Sequence, residues 1–271
     1  NSIITYGSAA KLQYKGSSAQ TTGTEFITPF VATGGVIINN ANGVTLNANK
    51  TINSLLTLTS GNLYTGAYTL FFGTNATNPV ETSASAIIGT SIMNSRNVGK
   101  ASINFLNAYI RSGTDDIGNV VITRKTGPGG IITVGQNSSI ACNWYISVDK
   151  QPVNGRVLEY SWLSKFDNNK GFSSTNKAQV WTSDNGSSNW VTSGEPIDVS
   201  GHDPRTIVNT VTHFSYWMVS SQDAPMPVTL ASLTFNVIGR NINLRWSTSN
   251  EINNSGFDIE RKVSSGDYVK I

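Results

Sequence analysis

The sequence predicts an all-β chain: a repeat region that is solenoid-like or a sandwich, then a β-sandwich, then an incomplete immunoglobulin or fibronectin III-like sandwich. Three observations carry this. Apolar residues come in short alternating runs, the period-2 signature of strands. Gly and Asn interrupt those runs about every 8 to 12 residues, as in all-β folds. No segment keeps an i, i+3, i+4, i+7 apolar pattern long enough for an extended helix.

Residues 1–98 read as short strands between Gly and Asn, in GVIINNANGVTLNAN (35–49), INSLLTLTSGN (52–62) and AYTLFFGTN (67–75). Ile38, Val44, Leu46, Ile52, Leu56, Leu58, Leu63, Leu70 and Phe72 supply the apolar side. Units such as NGVTLNANKTI and SGNLYTGAYTL stack as rungs of a β-solenoid with Asn and Gly at the corners. A conventional sandwich is the alternative.

Residues 99–222 carry longer, more aromatic strands: 119–125, 130–135, 141–149, 156–163, 177–184 and 214–221. Trp144, Trp162, Trp181, Trp190 and Trp217 all fall here, and mid-strand tryptophans are expected to fill the space between two sheets. After QDAPMP (222–227) the composition changes. Residues 223–271 hold three or four alternating strands around Trp246, too few for a sandwich of about 100 residues. The chain has neither an initiator Met nor a leader, and is expected to be a processed or trimmed piece of a longer protein.

Composition narrows function. Only 13% of residues are charged and the net charge is +3, with no Lys/Arg cluster, so the electrostatic footprint of a nucleic-acid binder is missing. No run of 18 apolar residues occurs, which rules out a transmembrane helix. Cys142 is the single cysteine and cannot form an internal disulfide; its alternating neighbours read as a strand, making it a small buried hydrophobe.

Met226 to Val263, MPVTLASLTFNV…NINLRWSTSNEINNSGFDIERKV, resembles the fibronectin type III-like module that precedes the C-terminal sorting signal in secreted proteins of the type IX secretion system. The matching features are the Pro227 to Leu230 entry, the Leu244 and Trp246 pair, and the run from Glu251 to Arg261. Segments 113–127, 140–148, 183–190 and 213–219 resemble the region before that module, and 14–26 with 39–62 resemble repeat cassettes of the same proteins. The resemblance implies export and residence outside the cell or on its outer surface, but no single activity. The sorting signal itself is absent from the sequence.

Candidate chemistry is sparse. The histidines are His202 and His213; Gly201-His202-Asp203 reads as a turn before Pro204 and not as part of a triad. Glycan cleavage needs two carboxylates across one bond. Adjacent Asp115 and Asp116 would face opposite sides of a strand, and Glu25, Glu81 and Glu159 are isolated. Loops 114–119 and 166–172 offer calcium candidates Asp115, Asp116, Asp167 and Asn169, without EF-hand spacing; the alternative is an Asx turn in each. TSDNGSSNW (182–190) resembles an Asp-box hairpin, a structural turn. Trp162 and Trp190, flanked by polar residues, are the candidates for stacking on a glycan.

No catalytic constellation emerges. The expected function is a non-catalytic extracellular structural protein that self-associates through strand edges or stacked repeats into a filament or sheath. The alternatives are a surface adhesin or glycan-binding module, and a β-helix polysaccharide lyase or glycosidase.

Overall fold

A computed structural model describes residues 4–134, 137–222, 230–239, 241–248, 256–262 and 266–271. Strand makes up 46% and helix 3%. The chain divides into two compact units, Asn1–Met226 and Pro227–Ile271.

The first unit begins as a solenoid of about four turns. Its strands are β1 (Leu12–Tyr14), β2 (Gln20–Thr21), β3 (Val36–Asn39), β4 (Val44–Thr45), β5 (Lys50–Ile52), β6 (Leu56–Ser60), β7 (Leu63–Tyr64), β8 (Leu70–Phe72) and β9 (Ile87–Asn97). They form three parallel ladders. β1, β3 and β6 make one; β2, β4, β7 and the start of β9 make the second; a bridge at Phe30, then β5, β8 and the middle of β9 make the third. Inward residues stack from rung to rung, as in Leu12, Val36 and Leu56, or Val44, Leu63 and Ile87, all buried. The solenoid expectation holds here, and the sandwich alternative for this region does not.

Asparagine is abundant because it joins rungs at the corners. Asn49 Oδ1 accepts the Thr69 N–H at 2.9 Å, Asn53 Oδ1 the Asn75 N–H at 3.0 Å, and Asn62 Oδ1 the Ala86 N–H at 3.0 Å. Each bond satisfies a corner N–H of the next turn, which the parallel ladders leave unpaired. Gly61 turns a corner at φ +74, where a Cβ would lie 1.8 Å from the Asn40 carbonyl oxygen. Only glycine fits there.

The remaining strands of this unit are β10 (Ile103–Phe105), β11 (Ala108–Ile110), β12 (Asn119–Thr126), β13 (Thr133–Val134), β14 (Asn137–Ser138), β15 (Cys142–Val148), β16 (Arg156–Trp162), β17 (Ala178–Ser183), β18 (Val191–Thr192), β19 (Arg205–Val211) and β20 (Tyr216–Ser221). β9 links the two architectures. It lies parallel to β7 and β8, and its other edge pairs antiparallel with β12, through pairs such as Ile122 with Asn94. The sheet continues from β12 through β15, β20 and β17 to β18, and a second sheet of β10, β11, β16 and β19 packs on it. Residue 98 therefore separates two architectures without separating two compact bodies.

Three of the five tryptophans meet the expectation for the core. Trp144 and Trp217 flank Tyr160 at ring distances of 5.2 and 5.8 Å, and Trp162 is buried in the same core. Trp181 and Trp190 do not. With Met218 they form a separate cluster that Ile132 and Val134 help to cover. The register explains this: Trp217 pairs with Thr182 and Trp181 with Met218, so Trp181 and Trp217 point to opposite faces.

In the second unit β21 (Leu230–Ile238) pairs with β22 (Asn241–Thr248), and β23 (Glu260–Arg261) with β24 (Val269–Lys270). One face of the β21–β22 hairpin is apolar throughout: Leu233 opposes Trp246, Phe235 opposes Leu244, and Val237 opposes Ile242. Trp246 is 39% exposed and meets Phe257 edge-on at 5.7 Å, so it does not sit between two sheets among the described residues. Residues 227–229 and 251–255, which carry part of the fibronectin III-like resemblance, lie outside the described residues.

Candidate functional site

The solenoid and the sandwich meet around a buried ion pair. The Arg124 guanidinium on β12 grips Glu81 of the loop before β9 with two hydrogen bonds, at 2.5 and 2.9 Å. Both side chains are almost fully buried, at 1% and 2% exposure. Glu81 Oε1 also accepts the Ile87 N–H at 2.7 Å, fixing where β9 starts. Cys142 lies in the same core, where burial pushes its thiol up to about 12. At neutral pH it is a thiol and not a nucleophilic thiolate, as expected for a buried hydrophobe.

Beside this pair runs an open groove of about 400 Å³. The solenoid contributes Asn62 and Tyr64 from the β7 corner and Ile88 from β9. The sandwich contributes Pro128 and Ile131 from the 3-10 turn after β12, and Lys165, Phe166 and Asn168 from the turn after β16. Gly127 seats its loop at φ +71, and a Cβ there would lie 2.7 Å from Ile88 Cγ2. The Tyr64 ring is 37% exposed, and its hydroxyl accepts the Asn62 side-chain amide at 3.2 Å. The Lys165 ammonium donates to Asn62 Oδ1 at 3.3 Å and to the Ser83 carbonyl at 3.1 Å, and lies 5.4 Å from the Phe166 ring centre. Partial desolvation by the groove walls holds the Lys165 amine below the usual lysine range although its side chain is exposed, while Glu81 and Asp203 act in the opposite sense. Asn168 donates to Ser138 Oγ at 3.0 Å and to the Ser139 carbonyl at 2.7 Å; Lys170 reaches the same hydroxyl at 3.3 Å. The groove thus has an apolar floor and a rim of amide and ammonium groups.

The residues singled out in the sequence go elsewhere. Trp162 and Trp190, the glycan-stacking candidates, are buried at 0% and 2% exposure. Trp162 donates to Asp167 at 2.7 Å and packs on Phe172 at 5.6 Å, so neither indole offers a face to a sugar. Polar flanking residues misled here, because in a strand they mark the opposite face and not the exposure of the tryptophan itself.

The calcium candidates are used within the protein. Both Asp115 oxygens accept from Asn154, at 2.7 and 2.8 Å, and Asp116 Oδ1 accepts the Gly118 N–H at 2.9 Å in an Asx turn. Asp167 binds Arg205 Nε through both oxygens, at 2.9 and 2.7 Å. Asn169 occupies the left-handed region at φ 58, beside Asn168 at φ 50. No group of three or more His, Cys, Asp or Glu side chains arranged to hold a metal occurs among the described residues.

Glu25, Glu81 and Glu159 remain apart. Glu25 accepts the Tyr14 hydroxyl at 2.7 Å, Glu81 binds Arg124, and Glu159 pairs with Arg111 at 2.9 Å. Asp203 accepts the Ser164 N–H at 2.8 Å, and His213 pairs with Asp184 at 3.2 Å. Asn185 of the Asp-box-like turn accepts the Ser187 and Ser188 N–H groups, as a structural hairpin does. Among the described residues no helix is long and apolar enough to cross a membrane. Comparison with protein families, with curated proteins and with solved structures finds no match.

Proposed function

We propose that this chain is a non-catalytic structural module of an extracellular or cell-surface protein, in which the solenoid and sandwich act as a stiff spacer. One observation carries the reading: Glu81, Asp115, Glu159, Asp167 and Asp203, candidates for chemistry in the sequence, are engaged in salt bridges or hydrogen bonds that hold the fold. Glycoside hydrolysis requires two carboxylates facing each other across a bond, and Glu25, Glu81 and Glu159 are each held by a different partner, Tyr14, Arg124 and Arg111. Low charge and a surface rich in Asn, Ser, Thr and Gly support an extracellular setting, as does the resemblance of the C-terminal region to a type IX secretion module.

Self-association is the second reading, and two uncovered surfaces favour it. β1 and β2 pair on one side only among the described residues, with β3 and β4. The β21–β22 hairpin leaves Leu233, Phe235, Val237 and Ile242 each more than half exposed. Against fibre growth, β1 and β2 are three and two residues long and Lys11 and Lys15 flank β1, devices that blunt a sheet edge.

Negative-stain electron microscopy and sedimentation of the full chain distinguish the readings. Dispersed monomers support the spacer, and fibres with an axial repeat replace it with a filament subunit. Release of reducing ends from a panel of polysaccharides would overturn the non-catalytic assignment.

A further inference from the structure

The groove between solenoid and sandwich points beyond a structural role. We propose that it binds an acidic saccharide about two sugar residues long, with Tyr64 as the stacking platform and Lys165 as the partner of a carboxylate or sulfate ester.

Shape is the first argument. A volume of about 400 Å³ falls at the small end of ligand sites, roughly 300–1,000 Å³. A pyranose ring offers an apolar C–H face and a rim of hydroxyls. The groove mirrors that pattern with Tyr64, Ile88, Pro128 and Phe166 on the apolar side and Asn62 and Lys165 on the polar side. The Tyr64 hydroxyl proton has no acceptor among the described residues and is free to donate to a sugar oxygen.

Charge is the second argument. Lys165 lines the groove, Lys170 stands behind Asn168, and no carboxylate lines it. Of the two carboxylates that act on Lys165, Glu81 is neutralised by the Arg124 guanidinium, and Asp203, which accepts the Ser164 N–H, does not line the groove. The complement is therefore anionic. Two ammonium groups are far fewer than a nucleic-acid backbone demands. A peptide adding as a strand needs an unpaired edge, and β7 is paired on both sides, by β4 and β9. The walls are also fixed beforehand, by the buried Arg124–Glu81 pair and the Gly127 turn, so little ordering is required on binding.

The test is calorimetry on the full chain with digalacturonate, a sulfated disaccharide and neutral cellobiose, repeated on Tyr64→Ala and Lys165→Met. At least one acidic disaccharide is expected to bind, and which one does so identifies the anionic group. Tyr64→Ala should weaken that binding about tenfold or more. Lys165→Met should also weaken it and should shrink the preference over cellobiose, which is expected to be about tenfold in the native chain. Both side chains are exposed, so unchanged unfolding midpoints would show that the variants remain folded. No heat with either acidic disaccharide at about 10 mM overturns the proposal, as does equal binding of cellobiose or indifference to both substitutions. Microscopy and polysaccharide digestion decide the structural reading separately, so either conclusion can fail without the other.

Discussion

Arg124 and Glu81 stand 43 residues apart in sequence and share one desolvated site. A buried pair of this kind is weak evidence of net stabilisation, yet losing one partner strands the other charge in the core. Arg124→Met should therefore destabilise the first unit by about 3–5 kcal/mol in urea unfolding at pH 7. The double variant Arg124→Met, Glu81→Leu should recover most of that loss. A single variant costing under about 1 kcal/mol would place the pair at the surface instead.

Cys142 gives a second prediction at the same scale. Its folded pKa of about 12 lies above the ordinary 9.0, so its protonated form contributes stability that is fully present below about pH 9 and is lost as pH rises toward 12. A thiol reagent at pH 8 should leave the native chain unmodified and titrate one thiol after denaturation. Rapid labelling of the native chain would show that Cys142 is accessible.

Among the elements, the corners set the geometry of the solenoid. At Gly61 both the positive φ and the Asn40 carbonyl 1.8 Å from a built Cβ exclude a side chain. Gly61→Ala should cost roughly 2–3 kcal/mol, read as a lower denaturation midpoint; a neutral result would mean the corner relaxes. Asparagine and the alternating apolar residues of this region are legible as rungs because each rung is a local unit with inward apolar residues and polar corners. Arg205–Val211 is harder to recognise as a strand, since only Ile207 and Val211 are buried and the rest of RTIVNTV gives no clear alternation. The groove is harder still. Tyr64 reads as an ordinary outward residue of a two-residue strand, and Lys165 lies 103 residues beyond Asn62.

For the whole first unit, β9 ties the two architectures together, because it belongs to both hydrogen-bonded networks. A solenoid alone can open rung by rung, but here one end is joined to the sandwich. Native-state hydrogen exchange should give the amides of β3 and β15 similar free energies of opening. Much faster exchange in β3 would mean that the rungs open without the sandwich.

Strand content, low charge, corner asparagines and the burial of Cys142 follow from the sequence alone, because period-2 alternation and turn chemistry act over a few neighbouring residues. Tertiary structure decided what depends on partners distant in the chain. It placed β9 between two sheets, joined Glu81 to Arg124, turned Trp181 and Trp190 away from the main core, buried Trp162, and brought Tyr64 and Lys165 to one groove. Alternation fixes which residues share a face of a strand, but not which strand comes to cover that face, since pairing is chosen by the packing of the whole core.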